Sequence, residues 1–347
     1  MRIQLNRWSG RLGNNMQQLA KAIHLAKCVG AELHFPSADE GSIGGKMQLE
    51  MFYNRAEPLS NLSSIVRGVK STIGIDTHTP LSKKDITPLA PISYEKVYHD
   101  TSLTLEGDFS SDFQSGECLR WSRIENHPPY ANSMYGNLHD IMKNDVMPIV
   151  SPPILKAKVK DLGYLEDDDT LVIHIRAGDV MDIKTTHPAF VQSPMCLATK
   201  VIKEHGYKNI VICSEDPKSD DQVNPVHVSL PMFCRNHAIK CDAEFRSVAV
   251  DAQILSRAKN VLIMGHTTFS TSLVLGSHTI KNVYFARHQK PRIASLLERC
   301  LNRTPTRVYA YGVNGYFAEG QEWVPTHEQK MKMLTCTEDQ VFLHHIC

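Results

Sequence analysis

The string His174-Ile175-Arg176-Ala177-Gly178-Asp179 closes a near-continuous apolar run that starts at Thr170. A guanidinium at the end of such a run offers a planar fork of donors suited to phosphate oxygens, and Gly178 lets the backbone approach a ligand. Asp179 can orient Arg176 or take a proton, although a plain Arg-Asp pair at a strand terminus explains the same letters. A second string, Gly10-Arg11-Leu12-Gly13-Asn14-Asn15, opens a helical pattern whose first N–H groups would attract an anion. It is neither GxGxxG nor a phosphate loop ending in Gly-Lys-Ser/Thr, and a tight turn with an asparagine cap is the competing reading. A third string, Gly265-His266-Thr267-Thr268-Phe269-Ser270, follows the apolar run Asn260 to Met264 and gathers hydroxyls and amides at a helix start. Either a diphosphate or a simple Thr/Ser cap accounts for it. Cys213-Ser214-Glu215-Asp216 ends another apolar run, with carboxylates placed for a ribose hydroxyl, a base edge or a capped turn.

The elements that must position these strings form a repeating pattern. Arg2 to Asn6 reads as a strand, a helix with apolar residues at Met16, Leu19, Ala20, Ile23 and Ala26 follows, and Ala31 to Phe35 reads as the next strand. Residues 37–100 carry scattered Ser, Gly and Pro and read as loops. Leu103 to Gly107 predicts a strand leading to Asp108 and Phe109, and a helical segment is expected near 130–145. Ser151-Pro152-Pro153 marks a linker.

Beyond it the spacing predicts strands at 170–175, 209–213 and 260–264, alternating with helices at 194–205, 251–258 and from Thr267 to Leu275. Apolar strands alternating with helices argue a parallel sheet covered on both faces, with ligands beyond its carboxyl edge. The chemical strings all fall at that edge. The expected architecture is α/β, two Rossmann-like halves facing a central cleft, with residues 1–152 and 153–310 as the two domains. Residues 311–347, including the amphipathic Lys330-Met-Lys-Met333, are expected to form a tail that packs back on the amino-terminal domain.

The 347 residues suffice for one large or two ordinary domains, and 42% hydrophobic with 22% charged residues is ordinary globular composition. With 38 Lys+Arg against 37 Asp+Glu, the net charge of +1 offers no global field for nucleic acid or anionic lipid. No run is long enough to span a bilayer, and no signal peptide is evident. Nine scattered cysteines without a CxxC pair favour thiols in a reducing compartment. A cytoplasmic location is therefore expected, with the Golgi or ER lumen as the alternative if an amino-terminal anchor has been removed. In that case the sequons at Asn61 and Asn302 would matter.

Ser9-Gly10-Arg11-Leu12-Gly13-Asn14-Asn15 resembles the opening motif of GDP-fucose-dependent fucosyltransferases, similar both to the GRFGN turn of protein O-fucosyltransferases and to the GGLGNQ turn of alpha-1,2-fucosyltransferases. His174 to Asp179 is similar to the HxRxGD donor motif of the alpha-1,2 enzymes. Ile212-Cys213-Ser214-Glu215-Asp216, Asp251 and Thr267-Thr268-Phe269-Ser270 continue in the family's order, and Leu105-Glu106-Gly107-Asp108-Phe109 is similar to its LxGYxQ stretch. Where the family has a second arginine this chain has Ala177, and Thr271-Ser272 stands in place of its two tryptophans.

The resemblance implies a GT-B fold with the acceptor side in the amino-terminal domain and the nucleotide-sugar side in the carboxyl-terminal one. It implies inverting, metal-independent transfer of L-fucose from GDP-fucose to a glycan hydroxyl. Arg176 and Asp179 would be catalytic, while Gly13, Asn14, His174, Arg176, Ser214, Glu215, Asp251, Thr267, Thr268, Phe269 and Ser270 would bind the donor. For the general base, Asp179 is the nearest carboxylate, with Asp108 and Glu106 as alternatives. Rival readings are transfer from another nucleotide sugar such as UDP-xylose, and a non-catalytic nucleotide- or glycan-binding relative. Glu166-Asp167-Asp168-Asp169 contains a DxD, the pattern that holds Mn or Mg in metal-dependent enzymes. It precedes its strand, on the wrong sheet edge, and reads as a solvated turn.

Overall fold

The computed structural model describes residues 2–5, 11–29, 32–34, 102–105, 138–148, 163–184, 186, 190–287, 297, 301, 304–317 and 322–346. The chain divides into two compact units, Met1–Lys156 and Ala157–Cys347, a boundary a few residues beyond the expected Pro-rich linker. The expected loops at 37–100, the turn at Gly10, Glu106, Asp108 and the linker itself lie outside the described residues.

In the first unit, β1 (Arg2–Leu5) pairs in parallel with β2 (Glu32–His34) on one side and β3 (Ser102–Leu105) on the other. Helix α1 (Leu12–Val29) links β1 to β2 as a βα crossover and buries Leu12, Met16, Leu19, Ala20 and Ile23. Those positions recur at three- and four-residue intervals, which puts them on one helical face. The helix expected near 130–145 is present at 138–148, with a π-helical stretch at Met142–Val146.

The second unit holds a seven-stranded sheet made of β4 (Thr170–Ile175), β5 (Asn209–Ser214), β6 (Lys240–Asp242), β7 (Asn260–Met264), β8 (Asn282–Ala286), β9 (Arg307–Val313) and β10 (Val341–Ile346). Their spatial order is β10-β9-β8-β7-β4-β5-β6, and every pairing is parallel except β9 with β10. The chain therefore builds outward from β4 in one direction through β5 and β6, then returns and builds the other way from β7. This is the doubly wound arrangement, and its reversal leaves a switch point beyond the carboxyl ends of β4 and β7, where open α/β sheets bind ligands.

Both faces of the sheet are covered, which explains the unbroken apolar runs. Leu171, Ile173, Ile210, Ile212 and Leu262 face a core shared with Leu197, Val201 and Ile202 of α2 (Met195–His205). Val172, Val211, Cys213, Val261 and Ile263 are buried as well. Each fully buried aliphatic side chain of this kind contributes roughly 1.5–3 kcal/mol, so the central strands anchor the unit. Helix α2 stops at Gly206, whose φ of 72° is left-handed, with Lys203 and His205 in its last turn. Helix α3 (Pro225–Asn236) starts with Pro225 behind an Asn224 cap, and α4 (Val248–Arg257) starts behind Ser247. Asp251 thus lies in the first turn of α4 rather than leading it. Helix α5 (Thr268–Leu275) starts behind Thr267.

The carboxyl-terminal tail belongs to the second unit. Strands β9 and β10 complete this same sheet, and α6 (His327–Thr335) packs on α2 and α3. Trp323 is fully buried in the core of this unit, and its indole N–H donates to the Val180 carbonyl at 3.0 Å. Tyr311, Tyr316 and Trp323 of this tail bury their rings in the core of the second unit, beside Tyr309.

Candidate functional site

The turn that follows β4 begins with Arg176, whose side chain is only 18% exposed. Its Nη1 donates to the His266 carbonyl at 3.1 Å, its Nη2 lies 3.6 Å from Asp179 Oδ1, and its Cζ stands 4.1 Å from the centroid of the Phe190 ring. Asn224 Nδ2 donates to the Arg176 carbonyl at 2.9 Å while Asn224 Oδ1 accepts from the Val226 amide at 3.0 Å, so one buried side chain ties this turn to the start of α3. Arg176 is therefore fixed by groups from both sides of the switch point.

Glu215, directly after β5, lies against Gly178: a Cβ at Gly178 would stand 2.9 Å from Glu215 Oε2. An acidic residue at the end of the strand next to the switch point is where a nucleotide's ribose hydroxyls are held in doubly wound sheets. Ser214 is buried, and its Oγ has no hydrogen-bond partner among the described residues.

His174 and Cys213 are paired neighbours on β4 and β5. Asp251, in the first turn of α4, lies beside Cys213 and Ser214, and its Oδ1 has no partner among the described residues. Burial pushes the Asp251 carboxyl up to about 7, against the pull of the nearby Arg246 guanidinium. Arg246 itself is held by an ion pair to Asp242 and by bonds to the Ile212 and Glu244 carbonyls at 3.1 and 2.9 Å. Burial, and secondarily the positive charge of Arg176, lowers His174 to about 3, so its imidazole is neutral across physiological pH. Its ring lies 5.5 Å from that of Phe269, and its Nδ1 has no partner among the described residues.

Beyond β7, Gly265 adopts a φ of 109° and passes the chain to Thr267, whose Oγ1 caps α5 by accepting from the Phe269 amide at 3.2 Å. The Thr267 carbonyl accepts from Thr271 Oγ1 at 2.6 Å, and Ser270 is fully buried with an unpartnered Oγ among the described residues. A helix start beside a fixed arginine is a place for a polyanion.

The structure thus brings His174, Arg176, Asp179, Ser214, Glu215, Asp251, Thr267, Thr268, Phe269 and Ser270 to one edge of one sheet. Gly13 and Asn14 lie in the first turn of α1, in the other unit. The DxD run lies at the opposite edge, before β4, where Asp168 pairs with Lys259 at 3.3 Å and Lys281 at 3.0 Å. Sequence reading missed Phe190, Gln192, Asn224 and Arg246. The signal for Asn224 was available, since Asn-Pro before an apolar run marks a capped helix start. Among the described residues no helix is long and apolar enough to cross a membrane, and no group of three or more His, Cys, Asp or Glu side chains is placed to hold a metal ion.

No protein-family model matches the chain, and no curated protein matches it. Among solved structures it is similar to POFUT1 in complex with GDP-fucose, at 12% identity and a TM-score of 0.37 over 82% of this chain and 96% of that one. The same protein in complex with GDP gives 12% identity and a TM-score of 0.38 over 82% and 97%. Its apo form gives 12% and 0.35 over 79% and 93%.

Proposed function

We propose that this chain is a metal-independent, inverting glycosyltransferase of GT-B fold that moves L-fucose from GDP-fucose to a glycan hydroxyl. The observation that carries the reading is the fixed guanidinium of Arg176 at the switch point, with an acid at the end of β5 and a hydroxyl-rich helix start after β7 on either side of it. The sequence supports the donor identity through the ordered set of motifs that resembles GDP-fucose-dependent enzymes. Asp251 supports it chemically: a buried carboxylate with a spare acceptor suits the adjacent N1–H and N2–H donors of guanine, whereas uracil offers a single N–H.

In this reading the bond from the sugar's anomeric carbon to the diphosphate oxygen breaks as the acceptor oxygen bonds to the opposite face of that carbon. Negative charge grows on the departing diphosphate and positive charge on the sugar ring. Arg176 and the start of α5 from Thr268 to Ser270 stabilise the diphosphate, and because they are held before reaction, no reorganisation is required as charge develops. Glu215 takes the ribose hydroxyls, and Asp251, Ser214 and neutral His174 line the base. Asp179 receives the acceptor's proton.

Arg176→Ala should lower turnover of GDP-fucose by roughly 100- to 1000-fold, as loss of one such donor does, and Arg176→Lys should not restore it because a lysine lacks the planar fork. Release of GDP, measured in the presence of a chelator, tests this. Activity of Arg176→Ala near that of the unaltered protein would refute the assignment, and loss of activity on chelation would refute metal independence.

A further inference from the structure

The segment Phe190–Ser193 crosses the switch point between the turn after β4 and the turn after β7, tied to the fold by two hydrogen bonds and braced by one within it. The His266 amide donates to the Val191 carbonyl at 3.1 Å, and Gln192 Nε2 donates back to the Phe190 carbonyl at 2.7 Å. The Tyr316 hydroxyl donates to the Gln192 carbonyl at 2.7 Å, and Pro194 ends the segment as the cap of α2. Gln192 is fully buried, and the chain at Gly265 passes so close that a Cβ there would stand 2.6 Å from Gln192 Oε1. A strap tied this firmly has one projecting group on the ligand side, the half-buried ring of Phe190. That ring meets the His266 imidazole edge-on, with centroids 6.0 Å apart, and carries the Arg176 guanidinium on its face.

We infer that Phe190 is a positioning residue, whose ring fixes the plane and direction of the Arg176 fork toward the phosphates of the ligand. The inference rests on the proposed role of Arg176 as the diphosphate-binding group. The physical reason is rotamer freedom: an arginine side chain has several rotatable bonds, and ordering them only when ligand arrives weakens binding. The His266 carbonyl accepts from Nη1 and Asp179 Oδ1 lies 3.6 Å from Nη2, and the Phe190 ring adds a contact 4.1 Å from the guanidinium carbon. A flat π-face beneath the guanidinium restricts its rotation and attracts the cation without consuming an N–H donor. Asp179 completes the arrangement from the side of the same turn, 3.6 Å away.

Three variants separate positioning from packing. Phe190→Leu keeps an apolar side chain on the strap but removes the π-face, Phe190→Tyr keeps both, and Phe190→Met serves if the leucine variant fails to fold. Two readouts are taken on each: GDP affinity by calorimetry, and the Arg176 Nε–H resonance, assigned by its loss in Arg176→Lys. The expected result for Phe190→Leu is an unchanged melting temperature, a five- to thirtyfold weaker GDP affinity, and a downfield move of the Arg176 resonance as ring shielding is lost. Phe190→Tyr should restore both. Unchanged GDP affinity in Phe190→Leu, or an unmoved resonance, overturns the inference while leaving the proposed function standing. Unaltered protein that binds neither GDP nor inorganic pyrophosphate overturns the proposed function, and with it the positioning role, even if the resonance moves.

Discussion

Asp251 is the residue whose proton reports most directly on what the site holds. Its carboxyl is raised to about 7 from an ordinary 3.8, chiefly by burial, so the folded protein binds more protons than the unfolded chain between those values. Stability from this group is therefore fully present below about pH 4 and lost as pH rises through 7. Asp251→Asn removes that penalty, and its melting temperature should exceed that of the unaltered protein at pH 8 by about 2–4 °C, roughly 1 kcal/mol, with the difference vanishing near pH 4. Ligand binding runs the other way. Guanine N–H donors favour the ionised carboxylate, so GDP affinity should fall by up to about tenfold per pH unit below 7, with a proton released on binding at pH 6. Calorimetry in two buffers of different ionisation enthalpy reads that proton, and a flat pH profile would remove Asp251 from the base site.

At the scale of elements, the site depends on how closely the strap lies on the turn after β7. Gly265 at a φ of 109° has Gln192 Oε1 and the Val191 carbonyl where its Cβ would go, at 2.6 and 2.9 Å. Gly265→Ala should cost at least about 1–3 kcal/mol from backbone strain, and by lifting the strap it should weaken GDP binding tenfold or more. Gly206 is the control: its φ is 72°, yet nothing lies within 4 Å of a Cβ there. Gly206→Ala should lower the melting temperature alone, and a GDP affinity that falls equally in both variants would contradict the strap's role.

The same scale shows what was legible. Strands β4, β5 and β7 were readable because burial on both faces writes itself as a continuous apolar run. Helix α3 escaped notice because Pro225 and Pro231 interrupt its pattern, and β6 because it is a three-residue edge strand with little burial. In β9 the apolar alternation is broken at Gly312, a position left open for the Phe342 ring of β10, which only the antiparallel pairing reveals. The strings after β4, β5 and β7 were legible because each follows the end of a buried apolar strand. Phe190 and Gln192 were not, since their roles arise from contacts with Arg176, Gly265 and Tyr316, partners distant in sequence.

For the molecule as a whole, the second unit is closed by its own carboxyl-terminal residues, and the site inherits stability from them. Trp323 fills that core and holds the Val180 carbonyl, at the end of the turn that carries Asp179. Trp323→Ala should destabilise the protein by about 3–5 kcal/mol, and Trp323→Phe by about 1–2 kcal/mol for the lost hydrogen bond with most of the packing kept. Denaturant midpoints measure both, and an unchanged midpoint in Trp323→Phe would mean that the indole N–H contributes nothing.

The proposed function requires one ligand class at the β4–β7 switch point. Calorimetric titration with GDP, UDP, GDP-fucose and UDP-xylose in the presence of a chelator tests it most directly. Selective binding of GDP and GDP-fucose is predicted, lost in Arg176→Ala and accompanied by thermal stabilisation that grows with ligand concentration. Preference for UDP or UDP-xylose would contradict the fucosyl assignment, and binding of none of the four would contradict the nucleotide-sugar site itself.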